Sequence, residues 1–352
     1  MPLPKLNTKE WDNEVKLYKQ STAQWRDTRA AELGYLDRSG YQTVMARRGV
    51  RLESNIPDPQ PETVVFNLPK INLKKYLPIK HGRNGDPETA CLQLTDHHNG
   101  QLTVSYNSEV YQIRLEHLFQ SVMRIVTLHR NMYPVNDLVI LITGDMVHGE
   151  NSKQGGKVGG ISMGAREQIS DSLHKLSEFI LSLKQNFVTV ECYCVPGNHG
   201  RYFREAPATS NWDILLYDQL KINLGHYNVK VNVSNTFYAI PIIQDKKFFI
   251  FHGDQFRAIQ GIPWFAMTKG LQSWWVTYGG FDYAVAGHFH SDHIMRLNSK
   301  SKLIMGGSLS TDDTFTQEIV KTSSIPSQWL WGVHKDKGLT WSYSLIVDDK
   351  YF

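Results

Sequence analysis

The sequence has few cysteines and no long apolar run. Only three of its 352 residues are cysteine, and so small a set without regular spacing does not form the framework of a disulfide-stapled domain. The longest apolar runs, such as residues 137–143, are far shorter than the roughly 20 residues that cross a bilayer. The first residues also lack the apolar segment of a secretory signal. We therefore expect a cytoplasmic protein without a membrane span.

Charge of one sign is not in large excess either. The formal net charge is +4 and the isoelectric point is near 8.7, which is weaker than in dedicated nucleic-acid-binding domains. This mild basicity is compatible with a phosphate-rich partner but does not identify one. A hydrophobic content of 41% over this length is enough for one large domain with its own core and a smaller module.

Residues 1–50 are predicted to form a small helical module. One helix is expected after a cap at Thr8, a second over residues 23–33, and a third over residues 40–48 with Ser39 as its cap. The arrangement resembles a helix-turn-helix of the resolvase or transposase kind, which binds DNA. A three-helix packing unit with a solvated basic face fits the same residues equally well. The basic residues in question are Lys16, Lys19, Arg26, Arg29, Arg47 and Arg48.

The rest of the chain is predicted to be a linker followed by the main domain. Residues 51–87 are rich in Pro, Lys and Asn, which indicates a linker and an edge hairpin. From residue 88 to 352 short apolar strands alternate with amphipathic helices, the pattern of an α/β domain. The predicted strands are residues 90–94, 138–142, 187–195, 247–251, 283–286 and 303–305, and the predicted helices are residues 109–132, 165–185 and 212–224.

Nearly every predicted strand runs directly into a cluster of Asp, Asn, His and Gly. The clusters begin at Asp96, Gly144, Gly197, His252 and Gly287. Strand ends are where α/β domains build their sites. Carboxylate, imidazole and amide groups hold divalent ions such as Mn, Fe and Zn, and the absence of thiolates argues against a structural zinc finger. The recurrence of the pattern predicts a catalytic metal centre.

The ordered motifs D-x-H, G-D, G-N-H, H and G-H-x-H across residues 90–310 resemble the signature of the calcineurin-like metallophosphoesterase family. The resemblance implies a two-sheet β-sandwich flanked by helices and a centre with two divalent metal ions. Mn is the first expectation for these ions, with Fe, Zn and Ni as alternatives. The implied ligands are Asp96, His98 and His290 on one metal, Asn198, His252 and His288 on the other, and Asp145 bridging both.

The same resemblance places His199 beside the substrate. Two metal ions lower the pKa of a bridging water, so that the hydroxide attacks phosphorus near neutral pH. A protonated His199 would then stabilise the developing charge or protonate the leaving oxygen. Arg201 is a candidate phosphate contact because a guanidinium fits a phosphate well. Gly200 departs from many relatives, which carry Asp or Glu there, and this leaves the partner that orients His199 unidentified.

Several other residues adjoin the motifs. His97, His148, Asp254 and His293 match no ligand position, and we expect them to support the ligands or the fold, Asp254 foremost. The three further candidates for substrate contacts are Lys153 and Lys157 in a Gly-rich segment and Ser308 in a Gly-Ser turn. A contact-free connection and an ordinary strand-ending turn are the alternatives for these segments.

The style of the motifs guides the choice of substrate. GDMVHGE and GNHG look more like the DNA-repair exonuclease branch of the family than the protein-phosphatase branch. The first expectation is therefore a nuclease-like hydrolase of phosphodiester bonds in nucleic acid. One alternative is a phosphatase of a small phosphomonoester or nucleotide, since the fold does not fix the substrate. Another is a DNA-binding or scaffold protein with an inactive domain, against which the intact ligand positions argue. The oligomeric state is left open.

Overall fold

The computed structural model divides the chain into two compact units, Met1–Leu77 and Pro78–Phe352. The residues that the structure describes are 3–50, 85–150, 160–257, 263–311 and 325–348. Most of the predicted linker and edge hairpin, residues 51–84, therefore lies outside the described part. In the described ranges no helix is long and apolar enough to cross a bilayer.

The first unit contains three helices, α1 (Lys9–Gln20), α2 (Ala23–Glu32) and α3 (Arg38–Arg47). Thr8 caps α1 as expected, because its side chain accepts a hydrogen bond from the Trp11 amide. The expectation that Ser39 caps α3 is wrong. Asp37 has the extended backbone of a capping residue and accepts from the Gly40 amide, whereas Ser39 already lies inside the helix.

A buried ionic group ties the three helices of this unit together. Glu14 of α1 is 4% exposed and accepts hydrogen bonds from Arg29 of α2, at 2.7 and 3.0 Å, and from the hydroxyl of Tyr41 of α3, at 2.6 Å. Burial alone would raise the pKa of Glu14, but the bonds from Arg29 and Tyr41 hold it below its usual value. The carboxylate is therefore ionised at neutral pH and links α1 to both other helices.

The second unit consists of strands and helices that follow one another along the chain. Its strands are β1 (Glu88–Leu94), β2 (Asp137–Ile142), β3 (Thr189–Cys194), β4 (Val229–Val233), β5 (Tyr238–Ala239), β6 (Ile242–Ile243), β7 (Lys246–Phe251), β8 (Tyr283–Ala286), β9 (His293–Arg296), β10 (Lys302–Met305), β11 (Ser327–His334) and β12 (Gly338–Ile346). Its helices are α4 (Ser108–Arg130), α5 (Ala165–Lys184), α6 (Trp212–Gly225) and α7 (Trp264–Thr277). Each predicted strand and helix of this unit is present, within two residues at either end.

The strands form two mixed sheets. The order in the first is β12-β11-β1-β2-β3-β4, with β1 to β4 parallel and with β11 antiparallel to both β1 and β12. The order in the second is β5-β7-β8-β10-β9, with β7, β8 and β10 parallel and β6 paired to β7. The parallel strands of each sheet therefore end at a common edge of that sheet.

Alternate side chains of each strand enter different layers of the core. Cys91 of β1 and Val285 of β8 belong to the apolar layer between the two sheets. Leu92, next to Cys91, lies in the layer that the first sheet forms with α4, α5 and α6. On the outer face of the second sheet, Phe249 shares a cluster with Met267 of α7. The unit is thus a two-sheet sandwich flanked by helices, which confirms the expected fold class.

The ionic group of the first unit gives a stability prediction. Replacing Glu14 with Ala leaves Arg29 and Tyr41 without their shared acceptor. Because Arg29 is partly exposed, we expect a loss of about 2–3 kcal/mol, below the cost of breaking a wholly buried pair. Hydrogen exchange of the α1–α3 amides in the intact chain measures this loss of stability. The control is Glu10→Ala, which changes an exposed residue of the same helix. Equal protection in both variants would show that the group does not hold the helices.

Candidate metal centre

The predicted ligands lie in loops that leave the carboxyl ends of the parallel strands. The loops after β1, β2 and β3 come from the first sheet, and those after β7 and β8 come from the second. Backbone hydrogen bonds join neighbouring loops, from the His98 amide to the Asp145 carbonyl at 2.9 Å and from the Gly287 amide to the His252 carbonyl at 2.8 Å. The ring of His252 links the two sets through a hydrogen bond from Nδ1 to the Thr143 carbonyl at 2.8 Å, so the loops form one connected rim.

Five of the seven predicted ligands have left-handed backbone conformations. Their φ angles are 54° at Asp96, 48° at His98, 55° at Asp145, 71° at His288 and 51° at His290. This region costs a residue with a side chain roughly 1–2 kcal/mol. Such strain is retained where the surrounding structure enforces it, typically at functional sites. The rim therefore has the backbone of a built site rather than of a set of ordinary turns.

Asp96, His98 and His290 form the first group of converging side chains. The Nε2 atoms of His98 and His290 are 3.0 Å apart, and Asp96 Oδ1 lies 3.7 and 3.4 Å from them, respectively. Asp96 Oδ1 is buried and makes no hydrogen bond to any described residue. Ligand atoms about 2.1 Å from a tetrahedral metal lie roughly 3.4 Å from one another, so the group fits a divalent cation.

Asp145, His252 and His288 form the second group. His252 Nε2 lies 3.0 Å from Asp145 Oδ2 and also 3.0 Å from the amide oxygen of Asn198. The structure thus brings the predicted ligands together in the same two groups that the sequence indicates. That Asp145 bridges two metals stays a prediction.

The charges of the two groups favour a cation. Burial alone would raise the pKa of Asp96, but His290 and His98 hold it well below its usual range. The pKa of Asp145 is likewise lowered, by His252 and His199 against the effect of burial. Both carboxylates are therefore ionised at neutral pH. Asp145 raises the pKa of His252 to about 10 although burial opposes it, so a cation would have to displace that proton to bind the ring.

Outer hydrogen bonds orient the ligand atoms. The Thr95 hydroxyl and the His288 amide donate to Asp96 Oδ2, at 2.6 and 2.8 Å, which leaves Oδ1 directed at the histidines. The ring nitrogen Nδ1 of His252 donates to the Thr143 carbonyl at 2.8 Å. That bond fixes the tautomer and turns Nε2 to the centre. Such outer partners are what metal sites need in addition to their ligands.

Asp213 is a functional residue that the sequence analysis missed. Its buried carboxylate accepts hydrogen bonds of 2.9 to 3.3 Å from four backbone amides, those of Asp145, Met146, Val147 and Gly197. Burial and the nearby charge of Asp145 raise the pKa of Asp213 to about 6. The residue ties the loop after β2 to the loop after β3. In the sequence it looks like an ordinary acidic residue in the first turn of α6.

The structure identifies the partner that orients His199. Its Nδ1 donates to the His148 carbonyl at 3.0 Å, and its amide donates to Asp145 Oδ1 at 2.8 Å. Burial lowers the pKa of His199 to about 4 despite the opposite effect of Asp145, so the ring is neutral at pH 7. A Cβ atom on Gly200 would lie 2.1 Å from Asn211 Oδ1. The position therefore has no room for the acidic residue of many relatives.

The residues beside the motifs have different surroundings. The ring of His148 lies with those of His98 and His199 in a third converging group, with 3.5 Å between the Nδ1 atoms of His148 and His98. His97 contacts the Tyr111 hydroxyl in the interior, where burial lowers its pKa to about 3. His148 therefore lies at the centre, and His97 lies in the core.

The remaining two of these residues, His293 and Asp254, contact a tryptophan and an arginine. The exposed ring of His293 packs on Trp264, with 4.7 Å between the centroids. Asp254 forms an ion pair with Arg201. Asp254 thus supports the candidate phosphate contact, Arg201, and its negative charge also acts to raise the pKa of the predicted ligands His252 and His288.

The other candidate substrate contacts are not all available. The prediction that Ser308 contacts the substrate is at odds with the structure, because Ser308 is wholly buried and its hydroxyl donates to the Asp96 carbonyl at 2.8 Å. It supports the loop after β1 instead. Lys153 and Lys157 lie outside the described residues.

The second group gives a prediction on metal retention. Replacing Asp145 with Ala removes the carboxylate nearest His252, and if Asp145 bridges both ions each loses a ligand. We expect the metal content of protein purified with Mn to fall from two ions per chain to below one, measured by elemental analysis. Asp218→Ala, an exposed change on α6, is the matched control. Two retained ions in Asp145→Ala would refute the dinuclear assignment.

Comparison with known proteins agrees with this geometry. The family model described as calcineurin-like phosphoesterase matches residues 91–292, more than half of the chain. No curated protein in the comparison matches the sequence.

Solved structures show only distant similarity. The vacuolar protein sorting 29 structure of Cryptosporidium parvum is 15% identical, with 74% of this chain and 100% of that chain covered and a TM-score of 0.35. The zinc complex of the same-named protein of Entamoeba histolytica is 12% identical, with 73% of this chain and 99% of that chain covered and a TM-score of 0.36. A 5'-nucleotidase of Candida albicans is 14% identical, with 73% of this chain and 49% of that chain covered and a TM-score of 0.33. These values carry no information on what the chain hydrolyses. On the strength of the family match, the chain belongs to the calcineurin-like phosphoesterase family.

Proposed function

We propose that this protein is a dinuclear metal-dependent hydrolase of phosphodiester bonds in nucleic acid. The observation that carries the proposal is the pair of histidine-carboxylate groups on one rim, with His199 beside them. Divalent cations in such groups lower the pKa of bound water and neutralise charge on phosphoryl oxygens. Their identity stays open, with Mn as the first choice, because the ligands suit several metals.

His199 would act on the substrate through Nε2. Its Nδ1 is engaged with the His148 carbonyl, so Nε2 is the ring atom left for a phosphate. A bound phosphate raises the pKa of a nearby imidazole because its negative charge favours the protonated form. Nε2–H would then donate to a phosphate oxygen or protonate the leaving oxygen.

Arg201 would add a second positive contact. Asp254 holds the guanidinium through Nη2, and the side chain of Arg201 remains 25% exposed. A guanidinium carries five N–H donors, so the ion pair leaves donors for a phosphate. The ion pair would thus hold Arg201 in place without occupying all of its hydrogen-bond donors.

The distribution of charge supports a polymeric substrate that is held by the first unit. Residues 1–84 carry fifteen Lys or Arg and nine Asp or Glu. Residues 85–352 carry twenty-three Lys or Arg and twenty-five Asp or Glu. Long-range attraction to a polyanion would therefore come from the N-terminal part. Within α1–α3, Lys16, Lys19 and Arg47 are exposed. Arg29 and Arg48, by contrast, are engaged by Glu14 and by the Pro4 carbonyl.

The second candidate function is hydrolysis of a small phosphomonoester or nucleotide. It is favoured by the same charge count, because the unit with the metal centre has no excess of basic residues to hold a long polyanion. A DNA-binding or scaffold protein with an inactive domain is less well supported, since both groups of metal-binding side chains are complete.

A comparison of two aryl phosphates tests the proposal. With Mn added, we expect a higher kcat/KM for bis(p-nitrophenyl) phosphate than for p-nitrophenyl phosphate, and cleavage of an end-labelled oligonucleotide. A chelator and Asp145→Ala should abolish both activities. A clear preference for the monoester would favour the second candidate. DNA binding without chelator-sensitive hydrolysis under Mn, Fe, Ni or Zn would favour the inactive protein.

The role of His199 gives a separate prediction. Replacing His199 with Ala should leave both metal ions bound while the rate of diester hydrolysis falls ~10² to 10⁴-fold, the usual weight of a positioned acid or base. Metal analysis and turnover are measured on the same sample. Asp145→Ala, which should lose both properties, is the comparison. Loss of metal from His199→Ala would mean that the residue is a ligand.

A further inference from the structure

A groove lies beside the candidate metal centre, between the start of α5 and the outer face of α6. It encloses about 430 Å³, and its lining includes Arg166, Ser170, Tyr202, Trp212, Leu215 and Gln219. This volume lies within the range of small-ligand sites, about 300–1,000 Å³. The lining of the groove combines aromatic and aliphatic side chains with polar ones, of which Arg166 and Ser170 are exposed.

The groove shares its wall with the centre. Tyr202 follows His199 by three residues, so their Cα atoms are at most about 11 Å apart. The Trp212 amide donates to the Gly200 carbonyl at 2.7 Å. A Cβ atom built on Gly149 would lie 2.9 Å from the six-membered ring of Trp212, so that ring borders the residue next to His148. Two loops of the centre thus continue into the groove.

One aromatic and one aliphatic side chain of the groove are exposed to solvent. Tyr202 is 47% exposed and Leu215 is 43% exposed, although both are apolar in their larger part. The rings of Tyr202 and Trp212 pack against each other as a tilted pair, with 5.9 Å between their centroids and 49° between their planes. Arg166 at the rim is also exposed and would supply positive charge.

We propose that this groove binds the nucleobase of a nucleotide that flanks the scissile phosphate. A base has a flat apolar face that stacks on aromatic side chains and polar edges that Ser170 and Gln219 could reach. The guanidinium of Arg166 suits the phosphate on the far side of that nucleotide. The inference rests on the proposed function, and it adds the part of the substrate that is recognised.

Tyr202 is the residue to test, because Trp212 packs partly in the core and its loss would disturb the fold. The substrates are the p-nitrophenyl ester of thymidine 5'-phosphate and methyl p-nitrophenyl phosphate, two diesters that share the leaving group and differ in the base. In Tyr202→Ala we expect the ratio of kcat/KM for the thymidine ester to that for the methyl ester to fall about tenfold, mainly through KM, as for a lost stacking contact. Tyr202→Phe keeps the ring and should restore the ratio.

The matched control is Tyr227→Ala, which removes a tyrosine 59% exposed beyond the end of α6 and outside the groove. It should keep the wild-type ratio. An unchanged ratio in Tyr202→Ala would overturn the inference. This includes an equal fall of kcat/KM for both substrates, because the groove would then contact the leaving group that the two esters share.

Binding provides a readout that does not depend on turnover. Thymidine 5'-phosphate should quench tryptophan fluorescence, less so in Trp212→Phe, and should bind Tyr202→Ala about tenfold more weakly. If the wild-type protein hydrolyses neither diester but shows this binding pattern, the proposed function fails and the groove assignment stands. If the wild-type protein hydrolyses the diesters but Tyr202→Ala changes neither binding nor the ratio, the proposed function stands and the groove assignment fails.

Discussion

The carboxylate of Asp213 holds together the two loops on which the candidate centre depends. One loop supplies Asp145, and the other supplies Asn198 and His199, and four of their backbone amides converge on this side chain. Burying a carboxylate costs several kcal/mol unless hydrogen bonds compensate for the lost water. Four amides and a position in the first turn of α6 provide part of that compensation, and the raised pKa of Asp213 reflects the part that burial and Asp145 leave uncompensated.

The close approach of these loops restricts which residues can occupy them. A Cβ atom on Gly197 would lie 2.0 Å from Asp145 Oδ1, so a larger residue would push the carboxylate away from His252. The left-handed backbone of Asp145 adds a local cost that only this network of contacts repays. The geometry of the centre is therefore a property of the packed loops, and no single loop would keep it alone.

Because the geometry of the centre depends on contacts between loops, only part of the site can be predicted from the sequence. The ligand positions come from the resemblance to the family motifs, and each motif is a short run of residues after a strand, so the signal is local. Asp213 could not be predicted, since its partners lie up to 68 residues away and its local pattern is that of a helix start. Nor can a sequence show that a backbone carbonyl, that of His148, orients His199.

The errors in the sequence analysis have the same origin. Ser308 follows a strand like a site residue, yet its hydroxyl turns inward to the Asp96 carbonyl. Strand β11 was missed because its apolar and polar residues do not alternate, as both faces are mostly buried. Helix α7 was missed because its sequence, rich in Trp, lacks a clear polar face.

If His199 meets the phosphate as proposed, its neutral state would link substrate binding to proton uptake. Its pKa of about 4 means that the free protein carries almost no proton on Nε2 at pH 7. A phosphate beside the ring favours the charged form, so binding and protonation must each strengthen the other by the same factor. Asp145 takes part in this coupling, because its Oδ1 accepts the His199 amide while its Oδ2 lies 3.0 Å from His252. Asp145 thus contacts both a predicted metal ligand, His252, and the backbone of His199, the residue proposed to meet the phosphate.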